Sequence, residues 1–189
     1  MRPGFLEFAL KIGVLKNTPR SGWVEAGIDP VESVADHSFR CAVLAMLCGD
    51  LKGLDTERMI RMALLHDSHE SLIGDLTPDQ RSEPEKHMAM KRKAIESVLS
   101  DLPKKLRDKY TSIVEEYLDQ ESPESRLVNE LDKLEMAIQA SEYRHQGYNH
   151  SKLQPFFTTA RCVIHDGDLK DVLSSIFNKV FLRKRKSTR

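Results

Sequence analysis

The sequence predicts an all-α fold, and three observations carry that reading. Apolar residues recur at helical spacing in one segment after another, helix start signals precede most of those segments, and no strand-like alternation persists. Phe5, Leu6, Ala9 and Ile12 place a first helix from about Pro3 to Lys16. The run Asn17-Thr18-Pro19-Arg20-Ser21-Gly22 then reads as a loop. Ser33-Val34-Ala35-Asp36 fits a capping box, in which side chains satisfy the free N–H groups of a helix start. The second helix begins there and continues through Leu47, with Gly49 and Gly53 expected to break it. A third follows Asp55 and runs to about Ile73, closed by Gly74. Pro84 and Pro103 sit at plausible first-turn positions of a fourth and a fifth helix. Ser122-Pro123 opens a sixth, which carries Leu127, Val128, Leu131, Leu134 and Ile138 on one stripe and ends at Gly147. Two more helices are expected, from about Ser151 to Ile164 and from Leu169 to Phe181.

A chain of 189 residues fits one domain, here residues 1–182, followed by a basic tail over residues 183–189 that reads as a solvated end. Lys plus Arg equals Asp plus Glu at 29 each, so the field that draws proteins to nucleic acid polymers or anionic membranes is missing. Local charges and a bound cation still suit a small anion. Cys41, Cys48 and Cys162 form no CxxC pair, which leaves a zinc ribbon or redox motif unsupported and suggests a reducing compartment. No leader pattern and no membrane-length apolar run stand out, so a cytoplasmic protein is expected.

The informative segment is Ala63-Leu64-Leu65-His66-Asp67-Ser68-His69-Glu70. It sets a histidine and a carboxylate side by side at the end of an apolar helical face, with Glu70 one turn beyond His66 on the same side. Such groups are costly to desolvate unless paired or metal-bound, so the dipeptide alone is equally a salt-bridged pair. Other residues shift the balance. His37 stands in the first turn of the second helix, and Asp132 flanks the apolar stripe of the sixth. Packing these three helices together brings two histidines and two aspartates to one point. That mixed nitrogen and oxygen set suits Mn, Co, Fe, Ni or Zn better than a soft metal, and it leaves positions open for water and substrate. His69 faces either the site or the surface, and His87, His145, His150 and His165 have no ligand-like spacing.

The order His37, His66-Asp67, Asp132 resembles the H…HD…D signature of HD-domain phosphohydrolases. Further blocks resemble the HD-domain 5′-deoxynucleotidases in order and approximate spacing. They are Pro19-Arg20-Ser21-Gly22-Trp23, Glu32-Ser33-Val34-Ala35-Asp36-His37, Ile73-Gly74-Asp75-Leu76, Leu131-Asp132-Lys133-Leu134-Glu135 and Gln139-Ala140-Ser141-Glu142-Tyr143. The resemblance covers roughly residues 5 to 165 and implies an HD-type helical bundle.

It implies a mechanism as well. His37, His66, Asp67 and Asp132 hold a divalent cation such as Mn, Co, Mg or Zn, and Glu70 positions the attacking water or takes its proton. Asp75 faces the sugar or a second cation, for which Glu70, Asp75 and the Leu76 carbonyl are the ligands. Arg20 grips phosphate through its planar fork, with Arg40, one turn after His37, as its rival. Trp23 stacks on a base or walls off the sugar 2′ position, unless it is simply a core anchor. The expected reaction removes the 5′-phosphate from deoxyribonucleoside 5′-monophosphates, and the family tends to form homodimers. Hydrolysis of another nucleotide or phosphoester, or a non-catalytic metal-stabilised scaffold, are the competing readings.

Overall fold

The computed structural model describes residues 4–80 and 83–182, so the basic tail lies outside the described residues. Among the described residues ten α-helices follow in order: α1 (Phe5–Gly13), α2 (Ser21–Glu25), α3 (Val34–Lys52), α4 (Thr56–Leu65), α5 (Glu70–Ile73), α6 (Pro84–Leu99), α7 (Lys104–Asp119), α8 (Pro123–His145), α9 (His150–Val163) and α10 (Gly167–Phe177). Short 3-10 turns extend α1 and precede α6. Among the described residues the only β-type pairing is one isolated bridge between Pro19 and Ser33.

Start signals act where the sequence places them. Ser33 accepts from the Asp36 N–H while Asp36 accepts from the Ser33 N–H at 2.9 Å, the reciprocal box that opens α3. Asp55 caps α4, Ser122 caps α8 and Asp166 caps α10. Each such cap satisfies a donor that the helix geometry leaves unpaired, and contributes about 1 kcal/mol.

Three expectations need correction. The second helix does not break at Gly49. It runs to Lys52 and stops at Gly53, whose φ of +66° provides the left-handed cap. Gly49 serves another purpose, because a Cβ there would stand 2.7 Å from Thr56 Oγ1 and 3.0 Å from Thr56 Cα. Its missing side chain lets α3 and α4 approach closely. Next, the third helix is two helices. After Leu65 the chain tightens through His66–His69, with Ser68 N donating to Leu65 O at 3.0 Å and Glu70 N to Asp67 O at 3.0 Å, before α5 begins. Finally, the segment read as loop contains the start of α2, and Trp23 on that helix is buried.

α8 is the axis of the bundle and packs against α3, α4, α7, α9 and α10. Leu127, Val128, Leu131, Leu134, Ala137 and Ala140 are buried along it, with Ile138 half-buried at the margin. Burying each large aliphatic side chain is worth about 1.5–3 kcal/mol. Asp132, Glu135 and Gln139 are buried on this same helix. Carboxylates in a core are strongly unfavourable unless something compensates their charge, and their partners define the site.

Candidate metal centre

Histidine tautomers are set by what lies behind the rings. His66 Nδ1 donates to the Ala63 carbonyl at 2.8 Å. A carbonyl only accepts, so Nδ1 carries its proton and Nε2 is the nitrogen left to coordinate. His37 Nδ1 donates to Glu135 Oε2 at 2.5 Å, which likewise frees its Nε2. The turn after α4 then delivers Asp67. Its Oδ2 lies 3.1 Å from His66 Nε2 and 3.8 Å from His37 Nε2, while Asp132 Oδ1 lies 3.3 Å from His37 Nε2. Ligand atoms of His37, His66 and Asp132 all fall within 4.8 Å of one another, and all three residues are buried.

These atoms fit a divalent cation. His66 Nε2 and Asp132 Oδ1 are buried and carry no hydrogen bond, which is costly for groups that nothing coordinates. Neighbouring donors on one first-row ion, each about 2.1 Å from it, lie roughly 3 Å apart, close to the separations seen. A set of two imidazoles and two carboxylates suits borderline metals. Both imidazoles are held from behind, by a carboxylate and by a backbone carbonyl, as metal-binding histidines ordinarily are.

Charge around the centre is dense. Burial alone would raise the Asp67 carboxyl, but the His66 ring and the Arg20 guanidinium outweigh it and hold it well below the usual range. Asp132 follows the same logic, with burial opposed by Lys133, whose Nζ is 2.7 Å from Oδ2, and by His37. Glu70 goes the other way. Burial first, then Asp67 and Asp75, push it up to about 10, against the opposing pull of Arg20 and Lys91. Its Oε2 is buried without a hydrogen bond. His69 is also buried, and desolvation pushes it down to about 4, so it is a neutral ring.

A cavity of about 690 Å³ opens in front of this cluster. Such a volume lies within the range of roughly 300–1,000 Å³ typical of small-molecule sites. Its walls include Arg20, Asp67, Glu70, Asp75, Lys91 and Asp132.

A family model described as an HD domain matches residues 12–171. The chain belongs to the HD-domain family. It is 38% identical over 172 residues to the 5′-deoxynucleotidase HDDC2 of Danio rerio, covering 90% of this chain and 85% of that one. It is 41% identical over 155 residues to the 5′-deoxynucleotidase YGK1 of Saccharomyces cerevisiae, covering 78% of this chain and 69% of that one. A conserved hypothetical protein from Pyrococcus furiosus superposes with a TM-score of 0.74 at 31% identity, covering 90% of this chain and 98% of that chain.

Within this HD fold the sequence-predicted residues have distinct positions. His37, His66, Asp67 and Asp132 converge. Arg20 reaches the same point, with Nη1 3.2 Å from Asp67 Oδ2 and 3.8 Å from Asp75 Oδ2. Asp75 Oδ2 accepts from the Ser21 N–H at 2.8 Å, which ties the start of α2 to the cavity wall. Leu76 lines the wall beside it. Asp75 joins no close group of three ligands among the described residues, whereas Asp67, His69 and Glu70 do. Trp23 is both core and wall: it is buried, and its indole N–H donates to Glu32 Oε1 at 2.7 Å.

Arg40 is not brought to the cavity. Its fork is taken by Glu135 at 2.7 Å, by Glu142 at 2.9 Å and by Gln139. The turn that carries it past His37 points it along α8, where these acceptors wait.

Sequence reading missed four contributors. Glu135 orients His37 and anchors Arg40. In the sequence it stands as the last residue of the Leu131-Asp132-Lys133-Leu134-Glu135 block, with no role attached to it. Lys133 and Lys91 add cations to the cavity wall. Tyr117 donates to Asp132 Oδ2 at 3.4 Å and sets its ring against His66. Nothing in the sequence around Lys91 or Tyr117 marks either residue.

Proposed function

We propose that this chain is a metal-dependent phosphomonoesterase that removes the 5′-phosphate from deoxyribonucleoside 5′-monophosphates. One observation carries the reading: buried ligand atoms without hydrogen bonds converge at the floor of a nucleotide-sized cavity, with a carboxylate and cations around them. The relatives named 5′-deoxynucleotidase support the substrate class.

His37, His66, Asp67 and Asp132 would hold the divalent cation. Such an ion supplies Lewis acidity, acidifying water and offsetting charge on phosphoryl oxygens. The rest of the chemistry falls to side chains. With the cation bound beside it, Glu70 would give up its own proton and, as a carboxylate, accept one from the attacking water. Oxygen of that water bonds to phosphorus, the bond from phosphorus to the 5′-oxygen breaks, and that oxygen leaves as the alcohol by taking a proton from solvent, to which Glu70 returns the one it accepted. Arg20 and Lys133 balance charge on the phosphoryl group. Asp75, fixed by Ser21, faces the sugar. For a second cation, the group Asp67, His69 and Glu70 offers more side-chain ligands than Glu70, Asp75 and the Leu76 carbonyl.

Residues 1–182 form one catalytic unit in this reading, and it acts as a homodimer in the cytoplasm. α3 supports the dimer, because Phe39, Val43, Met46, Leu47 and Leu51 are exposed along one helix. Free cysteines support a reducing compartment, and no described helix is long and apolar enough to cross a membrane.

Phosphate release from dAMP, dCMP, dGMP, TMP, AMP and dATP by the Mn- or Co-loaded protein tests the substrate class. Release from the deoxy monophosphates, with AMP and dATP slow, is the expected outcome. Faster turnover of the triphosphate would contradict it.

A further inference from the structure

The cavity wall has a charged part and an apolar part, and the apolar part has a defined construction. Gly22, Trp23, Ala26, Met136, Pro155 and Phe156 form it. Trp23 has no face left to offer a ligand. It is 1% exposed, its indole N–H is committed to Glu32, Tyr143 packs edge-on at 5.3 Å between centroids, and Phe156 covers it at 3.8 Å with a tilt of 32°. Phe156 is the half-buried member of the pair. It packs close against Gly22, where a Cβ would stand 3.1 Å from Phe156 Cε1 and push the ring by a few tenths of an ångström. Trp23 therefore backs Phe156, and Phe156 presents the aromatic surface to the cavity.

Polar groups frame that surface without crowding it. Ser151, Lys152 and Thr159 line the same stretch of α9. Pro155 lies inside the helix and has no N–H to give the Ser151 carbonyl one turn earlier.

We propose that Phe156 is the platform on which the nucleobase of the substrate stacks, with Gly22 leaving the room that its ring occupies. This inference rests on the nucleoside monophosphate reading and deepens it. Stacking uses the π-face that every base shares, so purine and pyrimidine nucleotides are accepted alike. Phosphate and sugar supply the fixed contacts at the charged end.

Two substrates that differ only by the base test the proposal: dAMP and 2-deoxyribose 5-phosphate. The readout is the ratio of kcat/KM for dAMP to that for the sugar phosphate, in wild type, Phe156→Ala, Phe156→Leu, Phe156→Tyr and Gly22→Ala. Wild type is expected to favour dAMP. In Phe156→Ala and Phe156→Leu the ratio falls about tenfold or more, mainly through KM for dAMP, and Phe156→Tyr keeps it. Gly22→Ala lowers the ratio as well. Phe156→Leu retains bulk against Trp23, so it carries the test where the alanine variant folds poorly. An unchanged ratio in both variants, or a wild-type ratio near one, overturns the platform while leaving the phosphatase reading intact. Absence of turnover of every nucleoside monophosphate by the metal-loaded wild type defeats the reading beneath it.

Discussion

At the scale of single residues, Glu135 links the metal centre to the frame that holds it. It is buried on α8, accepts from His37 Nδ1 and takes part of the Arg40 fork. Groups behind a metal-binding histidine typically contribute 10–100-fold to metal affinity. Glu135→Gln keeps the size but loses the charge that favours the Nδ1–H tautomer. Its Mn affinity by isothermal titration calorimetry is expected to drop about tenfold. Unchanged affinity would remove Glu135 from the account. The four converging ligands were legible because their residue types and order are informative on their own. Glu135 was not, since its role depends on meeting a side chain 98 positions away, which no local pattern records. Arg40 shows the converse. Its spacing from His37 suggested the site, but nearby acceptors on α8 claim its donors.

At the scale of elements, helix starts were readable and helix interruptions were not. Caps are local chemistry, written in three or four consecutive residues. The break between α4 and α5 is different, since the turn over His66–His69 is held by backbone bonds and by the site it builds. Gly49 misled for a related reason, because its function lies in the approach of α3 to Thr56. Gly49→Ala therefore sets two effects against each other. Alanine favours a helix interior over glycine by about 1 kcal/mol. Forcing a methyl into a packed contact costs about 1–3 kcal/mol. The contact is with Thr56, whose Cα at 3.0 Å and Cβ at 3.2 Å are fixed by the backbone of α4 and cannot rotate aside, so net destabilisation of about 1 kcal/mol is expected by urea denaturation. A stabilised variant would show that α3 and α4 separate at little cost.

At the scale of the whole molecule, the centre ties together parts of the chain that are far apart in sequence. His37 comes from α3, His66 and Asp67 from the turn after α4, and Asp132 from α8. An ion that binds only the folded state stabilises it by mass action, about 2.7 kcal/mol at a hundredfold excess over Kd. Chelation is therefore expected to lower the melting temperature measurably, and Mn or Co to restore it. A metal-independent melting curve would contradict that coupling. The exposed apolar residues of α3 belong to this scale too. Leu51 is 76% exposed and Phe39 68%. If α3 pairs with its copy, Leu51→Glu converts a dimer to a monomer by light scattering after size exclusion. An unchanged mass would assign that face to another use.

The most direct test of the central claim joins the ion to the carboxylate beside it. Metal-free protein and its Glu70→Ala variant are each titrated with Mn and assayed for phosphate release from dAMP. Mn is expected to restore release in the wild type, while the variant still binds Mn yet is slower by about 10²–10⁴-fold. Full activity in the variant, or release that persists without any metal, would contradict it.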